Sequence, residues 1–374
     1  MTKGGICNGM KKEDQDSIGF TLFNETFKPL IDVFRDNFTS GFERAGASFS
    51  VFWKGKEGIH LWGGWKNEEE GLKWDKDTMS VFFSCTKCLS AIVLAWTIQE
   101  SKGRVNYDSM VTEVWPEYAR NGKEKTTIAD IVLHRAGLPY GYRPLTREEE
   151  LTNPESLRLY NLGSNEYNYE LNKTFPWILP TCQHYNEVSN RILPMPSNLA
   201  IGTSFAFAKL LSKVATGKIL NAETLDKMSL PVLVDQMDII NGYKENKGYG
   251  LQYTKSPMGD WIFGHSGLGG QNVRVDVGRE LSFVYVCNGM KVADGDMVIP
   301  WNRLIVILLC VPPMVTVFIP LLPPSSASVI LAILVLIVNT PSVRMNVMVV
   351  NVYMILYPIP STANVFLDGK ETIV

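Results

Sequence analysis

The chain has 374 residues, enough for one large domain or two ordinary ones, and 36 Lys and Arg stand against 38 Asp and Glu. With no basic surplus, nucleic acid is excluded as an expected partner. The six cysteines (Cys7, Cys85, Cys88, Cys182, Cys287 and Cys310) have no framework spacing, and the polar start Met1–Ser17 is no secretory signal. An intracellular, reducing, cytoplasmic setting is the resulting expectation.

Residues 1–19 form a polar N-terminal segment. From Phe20 to Phe42, apolar residues recur as Phe23, Phe27, Leu30, Ile31, Phe34 and Phe38, which predicts one amphipathic helix. Ala47–Trp53 and Gly58–Trp65 read as strands around the turn Lys54-Gly55-Lys56. Trp53, Trp62, Trp65 and Trp74 fit burial at strand positions better than a ligand platform.

Phe82-Phe83-Ser84-Cys85-Thr86-Lys87-Cys88 then joins an apolar run to a helix predicted from Thr86 to about Ser101, stopped near Gly103. This helix is apolar nearly all round and is expected to be buried. Ser84 and Lys87 share a face at i and i+3, so the lysine nitrogen can reach the serine hydroxyl. A lysine of lowered pKa can take the serine proton, and the serine can attack an acyl carbon. The alternative is a helix cap beside an incidental lysine. Cys85 and Cys88 also form a C-x-x-C pair, but no further ligands or thioredoxin-like setting accompany it, so two buried helix residues are the reading.

Thr126-Thr127 is expected to cap a short helix from Ile128 to about His134. Residues 141–203 are irregular, rich in Asn, Pro and Tyr. Helices follow at Ser204–Thr216 and Ala222–Leu230. Strands are expected at Gly248–Tyr253, Asp260–Phe263, Gln271–Val277 and Glu280–Asn288, and short turns between them mean an antiparallel sheet. An α+β domain over residues 20–303 is the resulting fold class.

Residues 304–374 differ in kind. Between Leu304 and Leu367 the only charged residue is Arg344, and glycine is absent. Leu304–Leu322 has the length of a membrane span, but Pro312-Pro313 interrupts it. The apolar, Pro-interrupted text reads best as a terminal sequence not selected for this fold. Membrane attachment through residues 304–338 is the second reading.

Ser84-Cys85-Thr86-Lys87 is an S-x-x-K match, and His265-Ser266-Gly267 is an H-x-G match at a predicted strand. With Leu61-Trp62-Gly63-Gly64, His134-Arg135-Ala136-Gly137-Leu138, Tyr249-Gly250 and Gly264 to Asn272, the chain resembles the beta-lactamase-related serine hydrolases, in their esterase-type, class C-like and penicillin-binding-protein-like branch. The resemblance covers roughly residues 20–303. It implies the beta-lactamase/transpeptidase-like fold: a five-stranded antiparallel sheet flanked by helices, with a helical insert, here shortened. It also implies that Ser84 is acylated, that Lys87 accepts its proton, and that His265 lines the opposite wall. The N–H groups of Ser84 and Leu268 would hold the oxyanion, and Gly267 would leave room for substrate. The expected substrate is a small-molecule or peptide ester or amide. Neither a cofactor nor a metal is called for. One departure stands out: no Tyr-x-Asn or Ser-x-Asn triplet lies between Cys88 and Gly264. Tyr140, Tyr142, Tyr167, Tyr169 and Tyr185 are present without a distinguishing context. A catalytically inactive member serving as a binding or scaffold module is therefore the alternative function. His60, His134 and His184 are read as structural, with His134 packing beside Gly137.

Overall fold

A computed structural model describes residues 18–137, 187–191, 195–238, 243–256, 259–289, 300–310, 315–318 and 334–337. Cys7, Cys182, His184 and the five insert tyrosines lie outside these residues, as does most of the span 304–338. The chain divides into two compact units, Met1–Leu309 and Cys310–Val374.

The first unit is built on an antiparallel sheet. Its strands are β1 (Gly19–Leu22), β2 (Gly46–Trp53), β3 (Lys56–Asn67), β4 (Leu72–Lys73), β7 (Leu233–Asp238), β8 (Tyr243–Gly248), β9 (Leu251–Lys255), β10 (Trp261–Gly267), β11 (Gln271–Asp276) and β12 (Leu281–Cys287). A separate short pair joins β5 (Ser80–Val81) to β6 (Ile201–Gly202). The large sheet runs β1-β3-β2-β12-β11-β10-β9-β8-β7, with β4 on the side of β3. The resemblance implied five strands, whereas the described sheet has ten. The additional strands include β1, β7 and β8, whose sequences lack a clean apolar alternation; four of the six residues of β7 are exposed.

The predicted β2–β3 hairpin forms with Trp53 opposite Lys56. Lys54 and Gly55 both take positive φ (52° and 72°), the two-residue turn whose twist suits flanking strands. The predicted Phe20–Phe42 helix is not one element. Gly19–Leu22 is β1, Asn24 caps a 3-10 turn at Glu25–Phe27, and α1 is Pro29–Thr39. Pro29 explains the break: it has no N–H to extend a preceding helix, and its fixed φ suits a first turn.

Two helices pack on one face of the sheet. The first is α2 (Thr86–Glu100) and the second is Ser204–Ala215. Cys88, Ala91, Ile92 and Ala95 of α2 share a core with Phe207, Ala208, Leu211 and Val214 of the second helix and with Phe263, Val273, Val275, Val284 and Val286 of the sheet. Two buried hydroxyls pin that second helix down: Ser204 meets Ser50 at 2.7 Å, and Ser282 donates to the Ala208 carbonyl at 2.9 Å. The expectation that α2 is buried nearly all round is corrected. Val93 and Trp96 are 58% and 49% exposed, because only one face of α2 meets the sheet.

On the opposite face, Phe34 and Phe38 of α1 are buried, as are Leu304, Ile307 and Leu308 of a helix at Pro300–Cys310. Residues 304–309, placed by the sequence reading at the start of the tail, thus lie in a helix. It is tied to α1 by Asn37, which donates to the Pro300 carbonyl and accepts from Arg303. In the second unit, Val315–Phe318 pairs antiparallel with Leu334–Ile337. Among the described residues, no helix is long and apolar enough to cross a membrane.

Leu211 is fully buried where the helix, α2 and the sheet meet. Leu211→Ala is expected to cost about 2–5 kcal/mol. Urea unfolding of the full chain checks this, as a lower midpoint at unchanged slope.

Candidate active site

The site starts from a local distortion. Phe83 has φ 46°, a left-handed conformation that is uncommon for a bulky residue, and Ser84 follows it inside a 3-10 turn, Phe83–Cys85, that feeds α2. Several contacts hold this turn. Phe82 N–H donates to the Ala200 carbonyl at 2.9 Å, and the Thr86 hydroxyl accepts from Ala200 N–H at 3.1 Å. Ser90 donates to the Pro196 carbonyl at 2.6 Å. The stretch 195–202 therefore runs along the first turns of α2. Phe83 and Leu199 pack together, with Val81, Met195 and Leu268 against them.

Lys87 Nζ donates to Ser84 Oγ at 3.1 Å and to the Ser197 carbonyl at 3.1 Å. The i, i+3 spacing read from the sequence thus becomes a hydrogen bond. Lys87 is half-buried and enclosed by protein. This enclosure lowers its pKa to about 8; nearby Lys247 adds to the lowering, and Cys85 opposes it. Ser84 is only 1% exposed.

Strand β10 forms the other side. Phe263 belongs to the core beneath α2, and side chains two apart share a face, so His265 and Gly267 face the same way. Cys85 Sγ donates to the His265 carbonyl at 3.2 Å. A methyl group on Gly267 would lie 2.6 Å from the Phe82 carbonyl oxygen and 3.1 Å from Cys85 Sγ. The backbone of the H-x-G strand therefore approaches the Ser84 turn too closely for any side chain at Gly267. Leu268 packs against the Phe83–Leu199 cluster. Ser84, Lys87, His265, Gly267 and Leu268 are thus brought together. His265 is buried, and burial first, then the Lys87 charge, holds its pKa well below the ordinary histidine range. Its Nδ1 meets the Ser266 carbonyl, which makes Nδ1 the donor and leaves Nε2 as an acceptor.

On the other face of the sheet, Ser266 Oγ accepts from Asn272 at 3.3 Å and from Arg274 at 3.2 Å. Arg274 also donates to the Val273 carbonyl at 2.8 Å. These bonds fix β10 against β11 at the position of His265.

Two groups escaped the sequence reading. His134, assigned there to packing beside Gly137, has its pKa lowered to about 3 by burial first, then by the charges of Lys247 and Lys87. Lys247 is almost buried and paired with both Asp238 and Glu245. His134 heads the His134–Leu138 stretch that carries the resemblance, which gave it no role at the site; Lys247 has no local motif and comes from β8, which was not foreseen. His60 packs between Trp62 and Phe205, and burial lowers its pKa to about 4. Cys85, Cys88 and Cys287 are buried thiols outside any disulfide among the described residues, and burial pushes Cys88 up to about 12, an unreactive thiol. Among the described residues, no group of His, Cys, Asp and Glu is placed to hold a metal.

The family model described as Beta-lactamase matches residues 34–161 and 173–306. A curated relative, "Esterase/beta-lactamase LipL" of Mycobacterium tuberculosis, is 31% identical over 106 residues, 28% of this chain and 24% of that protein, so the match spans about a quarter of the relative's length. Among solved structures, a family VIII carboxylesterase aligns over 78% of this chain and 98% of its own at TM-score 0.67 and 21% identity. A penicillin-binding protein homologue from Caulobacter crescentus aligns over 79% and 100% at TM-score 0.64 and 21% identity.

His60, His134 and His265 have lowered pKa values in the folded chain, so the unfolded chain binds more protons below about pH 6.5. Stability should fall as pH drops from about 6.5 towards 4. Comparing urea midpoints of the parent and His60→Gln at pH 7.5 and 5.5 checks this: the parent loses more stability, and an equal loss contradicts the assignment to His60.

Proposed function

Because the chain belongs to the beta-lactamase family, we propose that it is a serine hydrolase that cleaves an ester or amide through an acyl-enzyme on Ser84. The observation that carries this reading is the Lys87–Ser84 hydrogen bond, made by an amine whose pKa is lowered to about 8. Near neutral pH a useful fraction of Lys87 is unprotonated. That fraction accepts the Ser84 proton as Oγ attacks the acyl carbon.

The N–H groups of Ser84 and Leu268 receive the negative charge that develops on the carbonyl oxygen. A fixed donor of this kind lowers such a barrier by about 3–4 kcal/mol. Leu268 packs against the cluster formed by Phe83, the residue before the nucleophile, and Leu199, and this supports the assignment. His265 lines the opposite wall as a neutral ring, which suits neutral esters or amides better than a substrate held by its carboxylate. Water then hydrolyses the acyl-enzyme. The names of the esterase and carboxylesterase relatives support the ester class.

A second reading, a catalytically silent member acting as a binding module, draws on the absent Tyr-x-Asn and Ser-x-Asn triplets. One experiment separates the two. The full-length protein is treated with a fluorophosphonate probe, and the adduct is located by mass spectrometry. The enzyme reading predicts label on Ser84, none in Ser84→Ala, and labelling at least about 100-fold slower in Lys87→Met. A folded protein that takes no label supports the silent module.

The pH dependence follows from the sign of the Lys87 shift. Its neutral form is the base, so kcat/KM for p-nitrophenyl acetate should rise with pH and level off above an inflection near 8. A profile that still rises tenfold per pH unit at pH 9.5 contradicts Lys87 as the base.

A further inference from the structure

The last residues of β10, those beside the Ser84 turn, run past the end of β9. The backbone of β10 pairs with β9 from Trp261↔Lys255 only as far as Gly264↔Gln252, while its pairing with β11 continues to Gly267↔Gln271. Had β9 been longer, Ser266 would oppose Gly250. Instead the chain turns away at Tyr249 (φ 54°) and Gly250 (φ 83°), and Leu251 pairs with Gly248 of β8. The turn is held against α2. A methyl group on Gly250 would meet Ala91 Cβ at 3.2 Å and Val132 Cβ at 3.6 Å, and Ala91 lies one turn after Lys87 on the same helix face.

A side chain stands where the strand stops. Gln252 is half-buried, and its Oε1 accepts from the Ser266 N–H at 2.9 Å. A backbone N–H only donates, so the Gln252 atom that meets it is the amide oxygen. The side chain thus supplies the carbonyl that Gly250 would have offered in a longer strand. Ser266 lies between His265 and Gly267, and Gly267 is packed against Phe82 and Cys85 of the Ser84 turn. Successive N–H groups of a strand alternate between its two edges. The N–H of Leu268, the proposed oxyanion donor, therefore falls on the same edge as that of Ser266. An acyl chain laid back along this edge from Leu268 meets Gln252.

Resting on the reading of this site as an acyl-transfer centre, we propose that Gln252 determines its substrate class: by occupying the Ser266 N–H it closes the edge of β10 to peptides and N-acylamino acid derivatives and leaves esters of simple acyl chains as the substrates. An extended peptide or acylamino chain binds a free strand edge by adding to it as a further strand, through main-chain hydrogen bonds. Here the donor such a chain needs is already taken, and the side chain that takes it stands in the path. Displacing Gln252 would return its amide to water or leave it unpaired, so the incoming chain gains little by exchange. A simple acyl chain asks nothing of Ser266; it needs only the Ser84 hydroxyl and the oxyanion donors. The same hydrogen bond also protects a strand edge from pairing with another chain, which is its purely structural use. The two uses differ in what happens to selectivity when the side chain is shortened.

The test compares two esters with one leaving group. p-Nitrophenyl butyrate carries a simple acyl chain; the p-nitrophenyl ester of N-acetylalanine, taken as both enantiomers, carries an amide able to pair with the edge. The full-length parent, Gln252→Ala and Gln252→Glu are assayed on each, with every kcat/KM divided by the ester's spontaneous hydrolysis rate. The parent should prefer the butyrate. Gln252→Ala frees the Ser266 N–H, and the ratio of acetylalanine ester to butyrate should rise by about tenfold, the worth of one hydrogen bond. Gln252→Glu keeps an oxygen on Ser266, so its ratio should stay at the parent's value. An unchanged ratio in Gln252→Ala, with both esters affected alike, means a structural role and overturns the proposal. Should Gln252→Ala fail to fold, the parent decides: a corrected preference for either acetylalanine ester over the butyrate overturns the proposal, and a preference for the butyrate over both supports it. A parent that turns over none of the esters and takes no fluorophosphonate label on Ser84 overturns the acyl-transfer reading itself, and the role of Gln252 with it.

Discussion

The partial withdrawal of one ammonium group from water is the constraint on which the site depends. Lys87 stands 3.1 Å from Ser84 and has a backbone carbonyl as its other partner. Lowering its pKa to about 8 corresponds to at most about 3 kcal/mol against the charged form. A flexible surface lysine would escape that cost by turning outwards. Lys87 is held in place because stretch 195–202 runs along α2 and because α2 is packed on the sheet through Cys88, Ala91, Ile92 and Ala95. In the proposed reaction the core under α2 is thus part of the chemistry: it holds the amine where its charge is disfavoured and its lone pair is useful.

The surroundings are arranged around the same electrostatic problem. Burial first, and then nearby lysine charge, pushes two imidazoles towards neutrality: Lys247 and Lys87 act on His134, and Lys87 acts on His265. Lys247 is offset by Asp238 and Glu245, and burial raises the pKa of Glu245 before Lys247 draws it back. The result is a site of largely neutral donors and acceptors near pH 7. Such a site favours proton movement over capture of a charged ligand, in keeping with the proposed ester or amide substrate.

Periodicity and turn chemistry made much of this legible. The β2–β3 hairpin, α2 and the strands β9 to β12 follow directly from residue spacing, and so does the Ser84–Lys87 pairing, because i and i+3 on a helix must meet. The H-x-G strand could be placed opposite by resemblance, and Gly267 explains itself once Phe82 is seen beneath it. What could not be read depends on tertiary placement. Strands β7 and β8 carry charged and exposed residues, so no apolar alternation announces them. Lys247 and His134 acquire their meaning only when a tight turn at Tyr249-Gly250 draws their elements to α2. The Phe20–Phe42 misreading has a local cause, since the apolar spacing continues through Pro29 although a helix cannot.

The claim that Lys87 is a neutral-range base can be observed directly. In the full-length protein with isotopically labelled lysine, the Cε resonance of Lys87, assigned by its loss in Lys87→Met, is followed against pH. The account predicts a midpoint near 8, well below those of the exposed lysines. A Lys87 resonance that titrates together with them near 10.5 would contradict it.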